Sequence, residues 1–471
     1  MKTIRFIVLG LVFFLLNSCA KYTDIIDPKG KNLLSTVDEL DYLLNVNMAL
    51  NNGFYMQNLY ALTNDMYLTT VSNILSGDKN MNYTILTYDE TADRADLQKV
   101  DIVYEQLYAL IGARLNVVLG AIDKVSGDPE KAKRIKAEAL TLRAYIHYIL
   151  VNIYAKSYNS ETAESDGGIA YMDKTDFEKS PVKESVAAVY HKILNDLQEA
   201  EDLNALYDLP QVPTRASKIL LYTFKAEVLR TLTRYPEAIE YADKALKLNN
   251  ILEDHRPYIA TGLAVRDNRT ATDNIFLAAN KVNNPTFNVP SVETMEQYYE
   301  PGNIIRYYTS TYSYTVAGVN YSVQLGTQYA FEGALLYYNN SYQQNASGMT
   351  VSDLYFIKAE SLIHSDRIAD GVAILNYVKE RRTHPSQYKP IEVSSKDEAM
   401  KAFKKLSRIE FLMTWKNFVN LKRWNRSNEY KETISRTING KTYTLTPESP
   451  LWTFPFPQSA TNYNSNLAQN Y

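Results

Sequence analysis

The chain has 471 residues, 53 acidic against 50 basic side chains, and one cysteine beside 38 tyrosines, 15 phenylalanines and 3 tryptophans. A lone cysteine excludes an intramolecular disulfide, a CxxC redox pair and a cysteine-based zinc site. A net charge of −3 gives no electrostatic reason to hold nucleic acid or an anionic membrane face, and the 45% hydrophobic content at this length describes a globular protein with a sizeable core.

At the amino terminus, Lys2 and Arg5 precede an uncharged apolar run from Phe6 to Leu16, which leads into Asn17-Ser18-Cys19. A basic start, an apolar stretch too short to span a bilayer comfortably and small residues before a cut site make a secretory signal over residues 1–18. A cysteine at the cut resembles the lipobox of bacterial lipoproteins, where the thiol is alkylated with diacylglycerol. Cys19 is therefore the predicted lipidation site. Losing Lys2 and Arg5 would take the net charge from −3 to −5. The acyl chains would hold the protein to a membrane, and no other apolar run approaches the length of a spanning helix.

Residues 19–35 read as a polar leader, and residues 36–471 as one domain in three parts: helical repeats over 36–249, a loop-rich ligand region over 250–350, and helices with an extended tail over 351–471. Thr36-x-x-Glu39 is a capping box ahead of apolar residues on helical spacing. Helices are predicted over 97–125, 130–154, 185–203, 216–232 and 236–248, with a loop over 158–179. His147 falls near the apolar face of the second, a core position. Ala226, Ala238, Ala242 and Ala245 have the spacing of a tetratricopeptide hairpin, where small residues let two helices approach closely. A similar unit recurs over 353–382: Lys358-Ala359-Glu360 echoes Lys225-Ala226-Glu227, and Gly371 stands twelve residues past Ala359 as Ala238 does past Ala226. Lys136-Ala137-Glu138 repeats the tripeptide a third time. Residues 250–350 carry few helical runs and alternating stretches such as Tyr312 to Val316, predicting loops and short strands. Helix resumes over 351–382 and 396–414, and residues 443–471 read as extended.

Catalytic motifs are missing from the sequence: there is no HExxH, GxSxG or phosphate-cradling glycine loop. The acidic loop from Glu161 to Asp176 lacks EF-hand spacing and reads as plain surface. No cofactor or metal is expected. The sharper feature is a cluster of 11 tyrosines between residues 298 and 342. A tyrosine ring offers an apolar face to sugar C–H groups, a hydroxyl for hydrogen bonding, and little rotamer entropy to lose. Tyr307, Tyr308, Tyr312 and Tyr314 are the candidate ligand residues, with Tyr67, near Asp65, as an outlying fifth.

These motifs together resemble the SusD/RagB family of outer-membrane lipoproteins. The leader Tyr22 to Gly30 is similar to the family's start, and Ala137-Glu138-Ala139 with Arg143-Ala144-Tyr145 to its long helix. Arg215-Ala216-Ser217, Arg408-x-Glu410-Phe411, Leu421-Lys422-Arg423-Trp424 and the Phe454-Pro455-Phe456-Pro457 to Gln469-Asn470 terminus follow in the family's order. Three positions depart from its pattern. Thr414-Trp415 stands where Glu-Gly is usual, and Asn417 where an arginine is. The acidic run that follows the family's lipidated cysteine is also weak here.

The resemblance implies a mainly α, tetratricopeptide-like scaffold with a long irregular insertion. It implies a non-enzymatic protein, lipid-anchored in the outer membrane and facing the cell exterior. Such a protein captures an oligosaccharide and delivers it, as a hinged lid, to a SusC-like TonB-dependent transporter. Peptide capture in the RagB manner and a protein-binding scaffold without a small ligand are the alternatives. A glycosidase would need a carboxylate pair in a cleft.

Overall fold

A computed structural model of the chain describes residues 34–45, 56–67, 71–174, 180–257, 271–278, 280–281, 289–303, 313–316, 319–322, 343–412, 414–427 and 429–471. The predicted signal and Cys19 lie outside them. Among the described residues the scaffold is built by α1 (Pro129–Tyr154), α2 (Val186–Asp202), α3 (Lys218–Thr231), α4 (Tyr235–Leu248), α5 (Val351–His364), α6 (Ile368–Arg382), α7 (Lys396–Glu410) and α8 (Trp415–Arg426). The architecture is mainly helical, as expected, and the strands pair only in twos.

Helix ends follow local chemistry. Thr36 Oγ1 accepts from the Glu39 amide at 3.2 Å while the Glu39 carboxylate accepts from the Thr36 amide at 3.0 Å, completing the predicted capping box. Pro129 occupies the first turn of α1 behind its cap, Asp128. At the other end of α1, buried Lys422 of α8 donates to the carbonyls of Asn152 and Ala155 at 2.7 and 2.6 Å. An ammonium placed there meets the negative end of the helix dipole.

From Leu140 to Tyr154 every side chain of α1 is buried, so this helix forms the centre of the core. Its tyrosines absorb part of the tyrosine excess. Tyr145 donates to the Ser347 carbonyl at 2.5 Å, Tyr148 to Glu227 at 2.8 Å and Tyr154 to Asp101 at 2.7 Å, which gives each buried phenol its hydrogen bond. His147 is a core residue stacked 3.7 Å from the Tyr171 ring. Its Nε2 accepts from the Met172 amide at 3.0 Å, which leaves Nδ1 to donate to the Arg143 carbonyl at 2.8 Å. Burial pushes its pKa down to about 3.

The helical hairpins α3–α4 and α5–α6 correspond residue by residue. Thr233 and Asp366, seven residues past Ala226 and Ala359, both take left-handed φ, 59° and 60°. Both turns close with a 2.9 Å backbone bond, Arg234 to Leu229 and Arg367 to Leu362. Ion pairs of the same spacing follow, Arg234–Glu237 and Arg367–Asp370. Ala226, Ala238, Ala242 and Ala245 are fully buried where α3 packs on α4. In the second hairpin the approach is closer. A Cβ at Gly371 would lie 2.6 Å from Ile363 Cγ1 and 2.9 Å from the Ala359 carbonyl oxygen. The third tripeptide differs, because Lys136-Ala137-Glu138 sits inside α1, which runs on through all 26 residues without a turn.

Between the hairpins lies a buried ionic cluster. Arg230 contacts Glu227 and Glu360 at 2.7 Å each, Arg423 contacts Glu360 at 2.7 Å, and Trp424 Nε1 donates to Glu360 at 2.8 Å. Burial opposes the Glu360 charge, but the Arg423 and Arg230 guanidiniums outweigh it and hold the carboxyl well below the usual range.

Several expectations need correction. The single helix over 97–125 begins instead at Ile102, because Asp101 caps the Val103 and Tyr104 amides. It then passes through a π-helical turn, Ile111–Leu115, before Asn116–Ala121. The helix over 396–414 stops at Glu410 and restarts as α8, whose Lys422 and Arg423 are buried despite their charge. The loop over 158–179 contains the strand Gly167–Ala170, paired with Lys183–Ser185. The carboxyl-terminal part is less extended than expected. Ile434–Ile438 pairs with Lys441–Leu445 through Asn439-Gly440, at φ 51° and 74°, the signature of a two-residue hairpin turn. Pro450–Trp452 and Gln458–Thr461 are helical turns. Residues 250–350 hold short strands, as expected, and also an unpredicted helix, Val292–Tyr298.

Candidate ligand face

Among the places where the insertion meets the scaffold is one short strand pairing. Strand Met66–Tyr67 runs antiparallel to Val289–Pro290, with Tyr67 in register with Val289 and Met66 with Pro290. This places the backbone of the outlying candidate Tyr67 beside Val289 of the insertion, although the two segments are more than 220 residues apart in sequence.

The turn that carries Tyr67 is fixed from below. Asn64 has φ 58°, and its carbonyl accepts from the hydroxyls of Ser291 and Thr294, the latter at 2.6 Å. Ser291 also caps Val292–Tyr298, accepting from the Thr294 amide at 3.2 Å, so one hydroxyl fastens the insertion's helix to the scaffold's turn. Asp65 is fully buried. It pairs with Arg408 at 3.0 Å and accepts from Asn417 Nδ2 at 2.8 Å. Arg408 donates to the Thr63 carbonyl at 3.1 Å and lies 5.0 Å from the centre of the Tyr298 ring. Tyr298 donates to Glu432, which pairs with Lys404 at 2.9 Å. Burial of Glu432 opposes its charge, yet Arg408 and Lys404 keep its carboxyl below the usual range. The hairpin Ile434–Ile438 closes the far side, with buried Arg436 donating to the Ala61 carbonyl and the Tyr88 hydroxyl.

The arrangement sorts the tyrosines. Tyr298 is committed to Arg408 and Glu432, and the Tyr299 hydroxyl accepts from the Gly302 amide at 3.2 Å, so these two members of the cluster are structural. Tyr314 stands on Ser313–Val316, in register with Tyr321 across the hairpin to Val319–Ser322. Tyr307, Tyr308 and Tyr312 lie outside the described residues. The charged anchors beneath the face, Arg408 and Glu432, escaped the sequence reading as parts of one cluster. Arg408 was visible only as a signature residue, and nothing in the spacing links it to Asp65.

All three tryptophans are buried. Trp424 donates to Glu360, and Trp452 Nε1 donates to the Thr446 carbonyl at 2.9 Å. Any aromatic ligand platform therefore falls to tyrosine or phenylalanine. Among the described residues no group of histidine, cysteine, aspartate and glutamate is placed to hold a metal ion.

A model of the SusD family matches residues 153–471, and a second model, described as starch-binding associating with outer membrane, matches residues 29–229. The fold is similar to a SusD superfamily protein from Bacteroides thetaiotaomicron, with TM-score 0.71 and 17% identity over 93% of this chain and 100% of that one. It is also similar to a SusD-like carbohydrate binding protein from Bacteroides vulgatus, with TM-score 0.64 and 16% identity over 92% and 97% of the two chains. A SusD-like carbohydrate binding protein from Bacteroides fragilis gives TM-score 0.62 and 14% identity over 92% and 99%. No curated protein matches the sequence.

Proposed function

The chain belongs to the SusD family, and on that premise we propose that it captures an oligosaccharide at the outer membrane without chemically altering it. It hands the ligand to a SusC-like TonB-dependent transporter, over which it sits as a lid. Lipid attached at Cys19 anchors it, facing the cell exterior. Tyr67, Tyr307, Tyr308, Tyr312 and Tyr314 supply the ring faces and hydroxyls that meet the sugar.

The observation that carries this reading is the pairing of Met66–Tyr67 with Val289–Pro290 above a fully buried Asp65–Arg408 pair. A residue carried on so constrained a backbone loses little backbone freedom on binding. Calorimetry against a glycan panel tests the proposal. Tyr67→Ala and the double change Tyr307→Ala with Tyr308→Ala should each weaken binding by about tenfold or more. Tight binding of mixed peptides with no response to any glycan would overturn it. Burial of every tryptophan is the observation that favours peptide capture as the second reading. Acyl labelling that persists in Cys19→Ala would refute the anchor.

A further inference from the structure

Away from the tyrosine face, a cleft of about 470 Å³ opens where several helix ends converge. Asn58 reaches it from Gln57–Leu62. Asn80 and Asn82 come from the start of Met81–Thr87, and Gln98 from the turn after Arg94–Leu97. Its floor is buried carbon, including Met56, Leu59 and Ile153. The size falls within the range of small-molecule sites.

The free hydrogen-bonding groups define what would fit. The Asn58 and Asn82 carboxamides bond to nothing among the described residues. Asn80 uses its side-chain oxygen to cap the Tyr83 amide at 3.0 Å, which leaves its NH2 group. Gln98 uses its NH2 group on the Val100 carbonyl at 3.2 Å, which leaves its oxygen. A carboxamide offers a donor and an acceptor side by side, as a hydroxyl-bearing ring requires. Among the described residues no lysine or arginine lines the cleft, and the only charged one there is Asp101. Its oxygens are occupied by the Val103 and Tyr104 amides and the Tyr154 hydroxyl. An anionic ligand would therefore meet a carboxylate and no counter-charge. A peptide would find helix ends and no strand edge to pair with.

We propose that this cleft is a second ligand site for an uncharged, polyhydroxylated ring such as a neutral sugar, held by the carboxamides of Asn58, Asn80, Asn82 and Gln98 over the apolar floor. It is separate from the tyrosine face. The test is calorimetry of the full chain with neutral mono- and disaccharides, a uronate control and a mixed peptide pool. Wild type is compared with Asn58→Ala, Asn82→Ala, their double variant and Tyr67→Ala. With two sites on the chain, the titrations should resolve two classes of binding: Tyr67→Ala should weaken the tyrosine-face class and leave the cleft class unchanged, the asparagine double variant should lose about tenfold or more in the cleft class alone, and uronate should bind the cleft more weakly. Binding that ignores the asparagine changes, uronate or peptide binding as tight as neutral sugar, or no sugar binding up to solubility would each overturn the site. Loss in the tyrosine variants alone would sink this cleft and leave the proposed function standing. Loss in the asparagine variants alone would sink the tyrosine face and leave the cleft.

Discussion

The hairpins α3–α4 and α5–α6 share a turn, a left-handed residue and an ion pair, yet they differ where they touch the rest of the molecule. The first accommodates Ala238 at its crossing and shares its acid, Glu227, with one arginine. The second needs Gly371 at the same place and buries Glu360 completely between two arginines and a tryptophan. Local geometry is what the two copies have in common, and surroundings are what separate them. A repeat unit is thus set by its own turn, while its tolerance to change depends on its neighbours.

Breaking the comparison at its most unequal point should give the largest effect. Glu360→Gln leaves Arg230 and Arg423 short of a counter-charge in the core and should cost about 3–5 kcal/mol by urea denaturation. Glu227→Gln should cost clearly less, because Arg230 keeps Glu360. An equal loss from both changes would show that burial does not distinguish the hairpins. Next comes the crossing. Gly371→Ala forces a Cβ against Ala359 and Ile363 and should destabilise by about 1–3 kcal/mol, whereas Ala238→Gly should cost about 1 kcal/mol from backbone entropy.

A pH series sharpens the difference further. His364 stands where the first hairpin has Thr231, and its ring lies parallel to Tyr235 with centres 4.5 Å apart. Burial pushes its pKa below the ordinary 6.5, and the nearby Glu360 only partly offsets this. With the folded pKa lower, the unfolded chain takes up the proton first as pH falls. Stability should therefore drop below about pH 6.5, by up to about 1.4 kcal/mol per unit, until the folded histidine titrates. His364→Phe should flatten that limb of the stability profile between pH 6.5 and 5, and an unchanged slope would reject the assignment. His147 would add a similar slope in both proteins, so the difference between them isolates His364. Glu360 behaves as a depressed carboxylate, whose contribution is present above the ordinary 4.5 and lost as pH falls through its folded value.

Smaller effects belong to the turns. Thr233 is β-branched and held at positive φ, so Thr233→Gly should stabilise by about 1 kcal/mol, and Asp366→Gly by less because aspartate tolerates that conformation. Removing either exposed pair, Arg234–Glu237 or Arg367–Asp370, should change stability by a few tenths of a kcal/mol. Thermal denaturation of the four variants would rank them.

The hairpins were legible in the sequence because close helix packing demands small residues at fixed spacing, and Ala226, Ala238, Ala359 and Gly371 display that demand directly. The long core helix was legible from its apolar periodicity and from Pro129. Helix α8 was not, because Lys416, Lys422 and Arg423 look like solvent-facing charges until the carbonyls and carboxylates they meet are known. Asp65 and Arg408 stand 343 positions apart, and no local pattern joins residues at that distance. The turn Asn439-Gly440 was a readable hairpin signal just ahead of residues 443–471, whose prolines and asparagines suggested an extended tail. Tyr67 could be singled out from the sequence, but its place beside the insertion depends on a strand pair of only two residues.

The segment around Asn470 settles onto the end of the long core helix and the strand beside it. Asn470 Nδ2 donates to the carbonyls of Tyr154 and Gly168, at 2.8 and 2.7 Å, across 316 and 302 residues of chain. Lys183 holds the same asparagine through its side-chain oxygen at 2.9 Å. During synthesis those contacts have no partner until Asn470 emerges, and in refolding they close loops of more than 300 residues, which is slow for entropic reasons. Helix α1 and the strand beside it must therefore wait, with those polar groups on water, for the segment around Asn470 to seal them. A chain cut a few residues short would keep its hairpins and lose that seal.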